Sequence, residues 1–146
     1  MKLRITDVDV PDIEVTNRNG LYATRNHFPW LSRILMSAIF IWSGIGKIMN
    51  PVGTQEYMSA YGVKFTSILL IAAIAVEILG GLSLLLGIKP RYGAIALALF
   101  LIPATFIFHT DFSDQIQQIM FMKNLAMLGG LLMLIQHGGS SIVLRR

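Results

Sequence analysis

Four apolar runs, each close to the length of a bilayer crossing, occupy most of this chain. They extend from about Trp30 to Ile48, Phe65 to Leu86, Tyr92 to Phe108 and Asp114 to Gln136, the last being apolar from Ile119 onward. A spanning helix needs about 20 mostly apolar residues. No water is present in lipid to satisfy backbone N–H and C=O groups, so each run has to close its hydrogen bonds within itself as an α-helix. The breaks agree with this division: Asn50-Pro51 follows the first run, Gly87-Ile88-Lys89-Pro90 the second, and Asp111 to Asp114 the third. Asp114 and Gln117 stand at capping-box spacing, which starts the fourth helix near Asp114. Gly138 and Gly139 end it.

Composition supports a lipid-solvated chain. Only 14% of the 146 residues are charged, whereas a soluble domain carries about 25%. The net charge of +4 does not signal nucleic-acid binding, because the basic residues flank apolar runs. Nine of them (Lys2, Arg4, Arg18, Arg25, Arg33, Lys89, Arg91, Arg145 and Arg146) fall on one side of the four spans. Only Lys47 and Lys64 fall on the other, with Lys123 inside the fourth helix. The expected fold is therefore an all-α four-transmembrane-helix bundle with both termini cytoplasmic. Residues 1–28 are expected to form an extended or disordered tail, residues 29–142 the membrane domain, and residues 143–146 a short cytoplasmic end. The first 28 residues lack an apolar core, so no signal peptide is expected. Their alternating Asp7-Val8-Asp9-Val10 pattern could add a strand to a protein partner. Thr54 to Tyr61 reads as a short surface helix or as a plain loop.

The absence of cysteine excludes disulfide relays, thiolate nucleophiles and Cys-based metal sites within this chain. No zinc or nucleotide motif is present, so no metal site is assigned. His27 and His137 fall on one side and His109 on the other, which argues against bis-histidine haem. Ser37 and Ser43 have no neighbouring base in sequence, so neither is expected to be a nucleophile.

The informative residues are those that lipid should reject. A charge at a helix centre costs about 2.5–3.5 kcal/mol on insertion scales, yet Glu77 lies mid-span and Lys123 and Asn124 lie within the fourth run. Helical spacing collects one stripe of small and polar residues on each helix. These are Arg33, Ser37, Phe40, Gly44 and Lys47; Ala73, Glu77, Gly80 and Leu84; Ala98, Ile102, Thr105 and His109; and Lys123, Ala126, Met127 and Gly130. The stripes are expected to face inward and form a polar cleft in the outer half. Glu77 and Lys123 would be its proton-handling pair, with Lys47, Thr105, His109, Asn124 and Trp42 contacting a ligand. A quinone, a small solute or protons would suit such a cleft. A plain register-fixing ion pair, a snorkelling Lys47 and an interfacial His109 are the structural alternatives. Gly80-Gly81-Leu82 and Gly129-Gly130-Leu131 form a weak repeat, read as small residues at helix contacts.

Several of these residues also carry a family resemblance. Ser43-Gly44-Ile45-Gly46-Lys47 with Pro51, Glu77-Ile78-Leu79-Gly80-Gly81 with Gly87, Ala104-Thr105-Phe106-Ile107-Phe108-His109, and Lys123-Asn124-Leu125-Ala126-Met127-Leu128-Gly129-Gly130 occur together in this order. Over roughly Trp30 to Ile142 the chain resembles the DoxX family. The resemblance implies a four-helix membrane protein associated with redox functions, related to the membrane part of a thiosulfate:quinone oxidoreductase. On that reading the chain is a membrane subunit of an oxidoreductase system that binds a quinone, with a partner supplying any further cofactor. The alternatives are a non-catalytic assembly or scaffold subunit and a small-solute or proton pathway. The resemblance also implies a bacterial cytoplasmic (inner) membrane as the location; the bilayer is the expected surrounding, and glycine and alanine stripes would allow a homo-oligomer.

Overall fold

The computed structural model describes residues 28–137, with side chains over 30–136. The expectations for the N-terminal tail, for Gly138-Gly139 and for the C-terminal end lie outside the described residues. The described part contains five helices and no strand: α1 (Phe28–Met49), α2 (Pro51–Ala60), α3 (Thr66–Leu86), α4 (Pro90–Phe108) and α5 (Gln115–His137). All but α2 are long and apolar enough to cross a membrane.

The boundaries follow local chemistry. Asn50 caps α2 by accepting a hydrogen bond from the Gly53 amide at 3.1 Å, and Pro51 opens the helix, where no donor is needed. Gly87, at φ 68°, ends α3 in the left-handed region that favours glycine. Pro90 starts α4. Asp114 Oδ1 accepts from the Ile116 amide at 2.9 Å, capping α5 where the sequence placed its start. Gln117 does not complete a capping box, since its side chain turns to His109 and Tyr61 instead. The segment after Asn50 is a helix, not a loop.

The spans pack in the order α1, α3, α4, α5, with α2 lying against α3 and α1 at one end. The core is Phe40, Leu84, Ala94, Leu97, Ala98, Leu101, Leu131 and Leu134. Most large apolar side chains face outward, including Leu35, Trp42, Ile68, Ile71 and Leu99. In a soluble protein that exposure would be untenable, but in lipid it is the expected solvated face.

Helices α1, α3 and α4 approach closely. A Cβ built on Gly44 would stand 2.8 Å from Ile78 Cδ1, one on Gly80 2.7 Å from Leu97 Cγ, and one on Gly93 2.5 Å from Ser83 Oγ. By contrast α1 meets α5 only over a short stretch, where a Cβ on Gly130 would stand 3.1 Å from Met36 Sδ. The two glycine pairs of the weak repeat are therefore not equivalent. Gly80 and Gly81 are buried at contacts, whereas Gly129 faces open space.

Candidate functional site

Each expected stripe can be compared with what is buried. On α1, Arg33, Ser37, Phe40 and Gly44 are buried and Lys47 is partly so. On α3, Glu77, Gly80 and Leu84 are buried and Ala73 partly so. On α4 the buried line runs through Ala98, Leu101 and Thr105, while Ile102 is exposed. On α5 the expected stripe is displaced by one residue. Asn124, Leu131 and Leu134 are buried and Lys123 and Ala126 are exposed, while Met127 and Gly130 of the expected stripe are half-buried. One residue is about 100° of helix rotation. The displacement takes Lys123 out of the interior and puts Asn124 into it. The larger apolar face containing Leu128, Leu131, Leu134 and Ile135 wins, because it packs against the leucine core.

Glu77 is 3% exposed. Its Oε1 accepts from Lys47 Nζ at 2.9 Å and from Ser43 Oγ at 3.0 Å, and Lys47 also donates to Ser43 Oγ at 2.8 Å. Oε2 lies 2.9 Å from the same ammonium but off the hydrogen-bonding direction, and it has no hydrogen-bond partner. This triad corrects two expectations. The counter-charge of Glu77 is Lys47, not Lys123, whose ammonium contacts Met120 Sδ at 3.1 Å. Ser43 does have a base beside it, which is Glu77. The signal for Ser43 was present in the sequence, since it precedes Lys47 by four residues and so shares its face.

The remaining candidates do not join this triad. Thr105 is buried, but its hydroxyl donates to Leu101 O at 2.7 Å within its own helix. Asn124 is 7% exposed and its side chain makes no hydrogen bond among the described residues. It lies near the level of Glu77. Counted from the Met36–Gly130 contact, Asn124 is about 9 Å along α5 and Gly44, beside Glu77, about 12 Å along α1. Trp42 is 80% exposed, on the face of α1 turned away from the interior.

His109 belongs to a second cluster at the α2 end. Its Nδ1 is 2.7 Å from Gln117 Oε1, and Gln117 Nε2 donates to the Tyr61 hydroxyl at 3.4 Å. Tyr57, Tyr61 and Phe108 form an aromatic group there, with ring centroids 4.9–5.5 Å apart. Burial, reinforced by Tyr61, pushes the Tyr57 phenol up to about 12, and Gln117 opposes that shift. In the loop before α5, hydrogen bonds from Ser113 hold the Asp111 carboxyl below its ordinary range.

The arrangement offers an ammonium and a hydroxyl as donors, and a carboxylate oxygen as an acceptor, inside a lipid-solvated bundle. It can orient a polar head group and exchange protons with it. No group of three or more His, Cys, Asp or Glu side chains able to hold a metal occurs among the described residues.

Comparison with known proteins places this chain in a family. The DoxX family model matches residues 28–110, which contain α1 to α4 and the whole Ser43–Lys47–Glu77 triad. The chain is 42% identical to inner membrane protein YqjF of Escherichia coli over 108 residues, covering 74% of this chain and 82% of the relative. It is 28% identical to inner membrane protein YphA of the same organism over 121 residues, covering 80% and 86%. No solved structure matches the chain. With four spans and these relatives, the chain is a multi-pass inner-membrane protein that belongs to the DoxX family.

Proposed function

We propose that this protein is the membrane subunit of an oxidoreductase system and holds the head group of a quinone, or of a similar lipophilic redox molecule, at the Ser43–Lys47–Glu77 triad. The observation that carries the reading is Glu77 itself. A carboxylate is kept deep in a membrane bundle with one oxygen engaged by Lys47 and Ser43 and the other left without a hydrogen bond. Oε2 meets the Lys47 ammonium off the hydrogen-bonding direction and so keeps acceptor capacity for a ligand hydroxyl. On a quinone, Lys47 would donate to a carbonyl. On a quinol, Glu77 Oε2 would accept from a hydroxyl. The apolar outer faces suit a molecule that lives in the bilayer. Electron transfer would require a partner carrying a redox cofactor, consistent with the absence of cysteine.

The test is ligand retention. Protein purified from membranes in mild detergent should carry quinone detectable by extraction and mass spectrometry, and should bind decylubiquinone. Glu77→Gln and Lys47→Met should each weaken that binding by about 10-fold or more, the worth of a hydrogen bond to a charged group. Wild-type affinity in both variants would remove the triad as the head-group site.

A further inference from the structure

The seam between α1 and α5 differs from the other three. At the level of Glu77, α1 and α3 are closed by Gly44 against Ile78. The α3–α4 seam is closed by Gly80 against Leu97, and the α4–α5 seam by the rings of Phe106 and Phe121, 5.9 Å apart. The α2 end carries the tyrosine–Phe108 group. Helices α1 and α5 touch at Met36 and Gly130 and run antiparallel. Two turns from that contact toward the α2 end, about 10 Å on, come Ser43 on α1 and Lys123 on α5. Each is seven residues from its contact residue and therefore on the same helix face.

In a closed seam α1 would cover Lys123. Instead Lys123 is exposed, and Met120 Sδ is the only polar contact of its ammonium among the described residues. With only a short α1–α5 contact and with Lys123 exposed, α1 does not cover α5 at this level, where Lys47 on α1 is partly exposed and paired with Glu77. The ammonium of Lys47 is matched by Glu77, whereas that of Lys123 has no carboxylate within reach among the described residues. This stretch of the seam therefore carries one excess positive charge toward lipid, and the half-buried, adaptable side chains of Met120 and Met127 lie on the α5 side.

We infer that the α1–α5 seam is a lateral port through which the head group enters from the bilayer, and that Lys123 is its second cationic contact, across the seam from Lys47. The inference rests on the head-group site proposed above. Its occupant is a lipophilic molecule with electron-rich oxygens at both ends of the head group, one for each ammonium, and an apolar tail left between the helices.

The chain has no native cysteine, so paired thiols can be introduced cleanly. Ile39 and Ala126 are both exposed about one turn past the Met36–Gly130 contact, on the lipid-facing lips of the seam, and neither belongs to the triad. The full-length Ile39→Cys/Ala126→Cys protein is bridged with a short bis-methanethiosulfonate reagent, and decylubiquinone uptake is followed before bridging, after it, and after reduction. Bridging should slow uptake at least 10-fold, and reduction should restore it. Separately, Lys123→Met, which removes a charge from lipid and keeps the helix intact, should bind the probe about 10-fold more weakly at an unchanged melting temperature. Unchanged uptake after bridging overturns the port, and wild-type affinity in Lys123→Met overturns the contact. No probe binding by the wild-type protein would overturn the triad as a head-group site and the port with it. Wild-type binding beside unaffected variants removes the port alone.

Discussion

The two partners of the Lys47–Glu77 pair are not equivalently placed. The Glu77 side chain is 4% exposed and the Lys47 side chain 23%. Losing one member of a buried pair costs about 3–5 kcal/mol when the other charge stays trapped. Lys47 sits in the last turn of α1 and can swing its ammonium outward along its apolar stem, whereas Glu77 in the middle of α3 cannot. Lys47→Met should therefore lower the melting temperature in detergent more than Glu77→Gln does. The double variant should be less destabilised than the sum of the two. At the α2 end, the Tyr57 phenol provides a pH test. Its folded pKa, about 12, lies above the ordinary 10, so its contribution to stability is complete below pH 10 and is lost as pH rises toward 12. Absorbance titration of the tyrosines should show one of them ionising late, and Tyr57→Phe should remove that late step.

At the scale of elements, glycine positions separate helix contacts from lipid-facing surface. Gly93 lies at a close α3–α4 contact, with Ser83 Cβ 2.7 Å and Gly80 O 3.1 Å from any added Cβ. Gly93→Ala should cost about 1–3 kcal/mol by overpacking, read as a drop in thermal stability. Gly129→Ala, into open space, should leave stability within about 0.5 kcal/mol of the wild type. The sequence made the helices legible to within a few residues, because apolar run length and the Asn50-Pro51, Gly87 and Asp114 signals are local. It also made the inward faces of α1 and α3 legible, since Arg33, Ser37 and Gly44 on α1 and Glu77 and Gly80 on α3 fall on one face of each helix. It did not do so for α5. Lys123 and Asn124 are adjacent and both polar, and spacing alone cannot say which of two neighbouring directions a helix will bury. Trp42 and His109, expected to contact a ligand, lie away from the triad, since Trp42 is exposed and His109 pairs with Gln117.

For the whole molecule, the uneven distribution of Lys and Arg argues that α2 and the α1–α3 turn face the periplasm. Glu56, exposed on α2, is a suitable reporter. Glu56→Cys in intact cells should react with a membrane-impermeant maleimide added from outside, and protection until lysis would reverse the orientation. Taken alone, the sequence determined that the chain crosses the membrane four times, where each crossing starts and stops, and that Glu77 has to be sheltered. These follow from hydrophobicity, helix geometry and capping, all of which act over a turn or a span. Only the tertiary structure decided that the partner of Glu77 is Lys47, that Ser43 completes the group, and that Lys123 stands exposed where α1 does not cover α5. Those outcomes depend on how far each helix rotates and how closely its neighbours approach. Rotation and approach are set by the packing of leucine against glycine between helices distant in the chain.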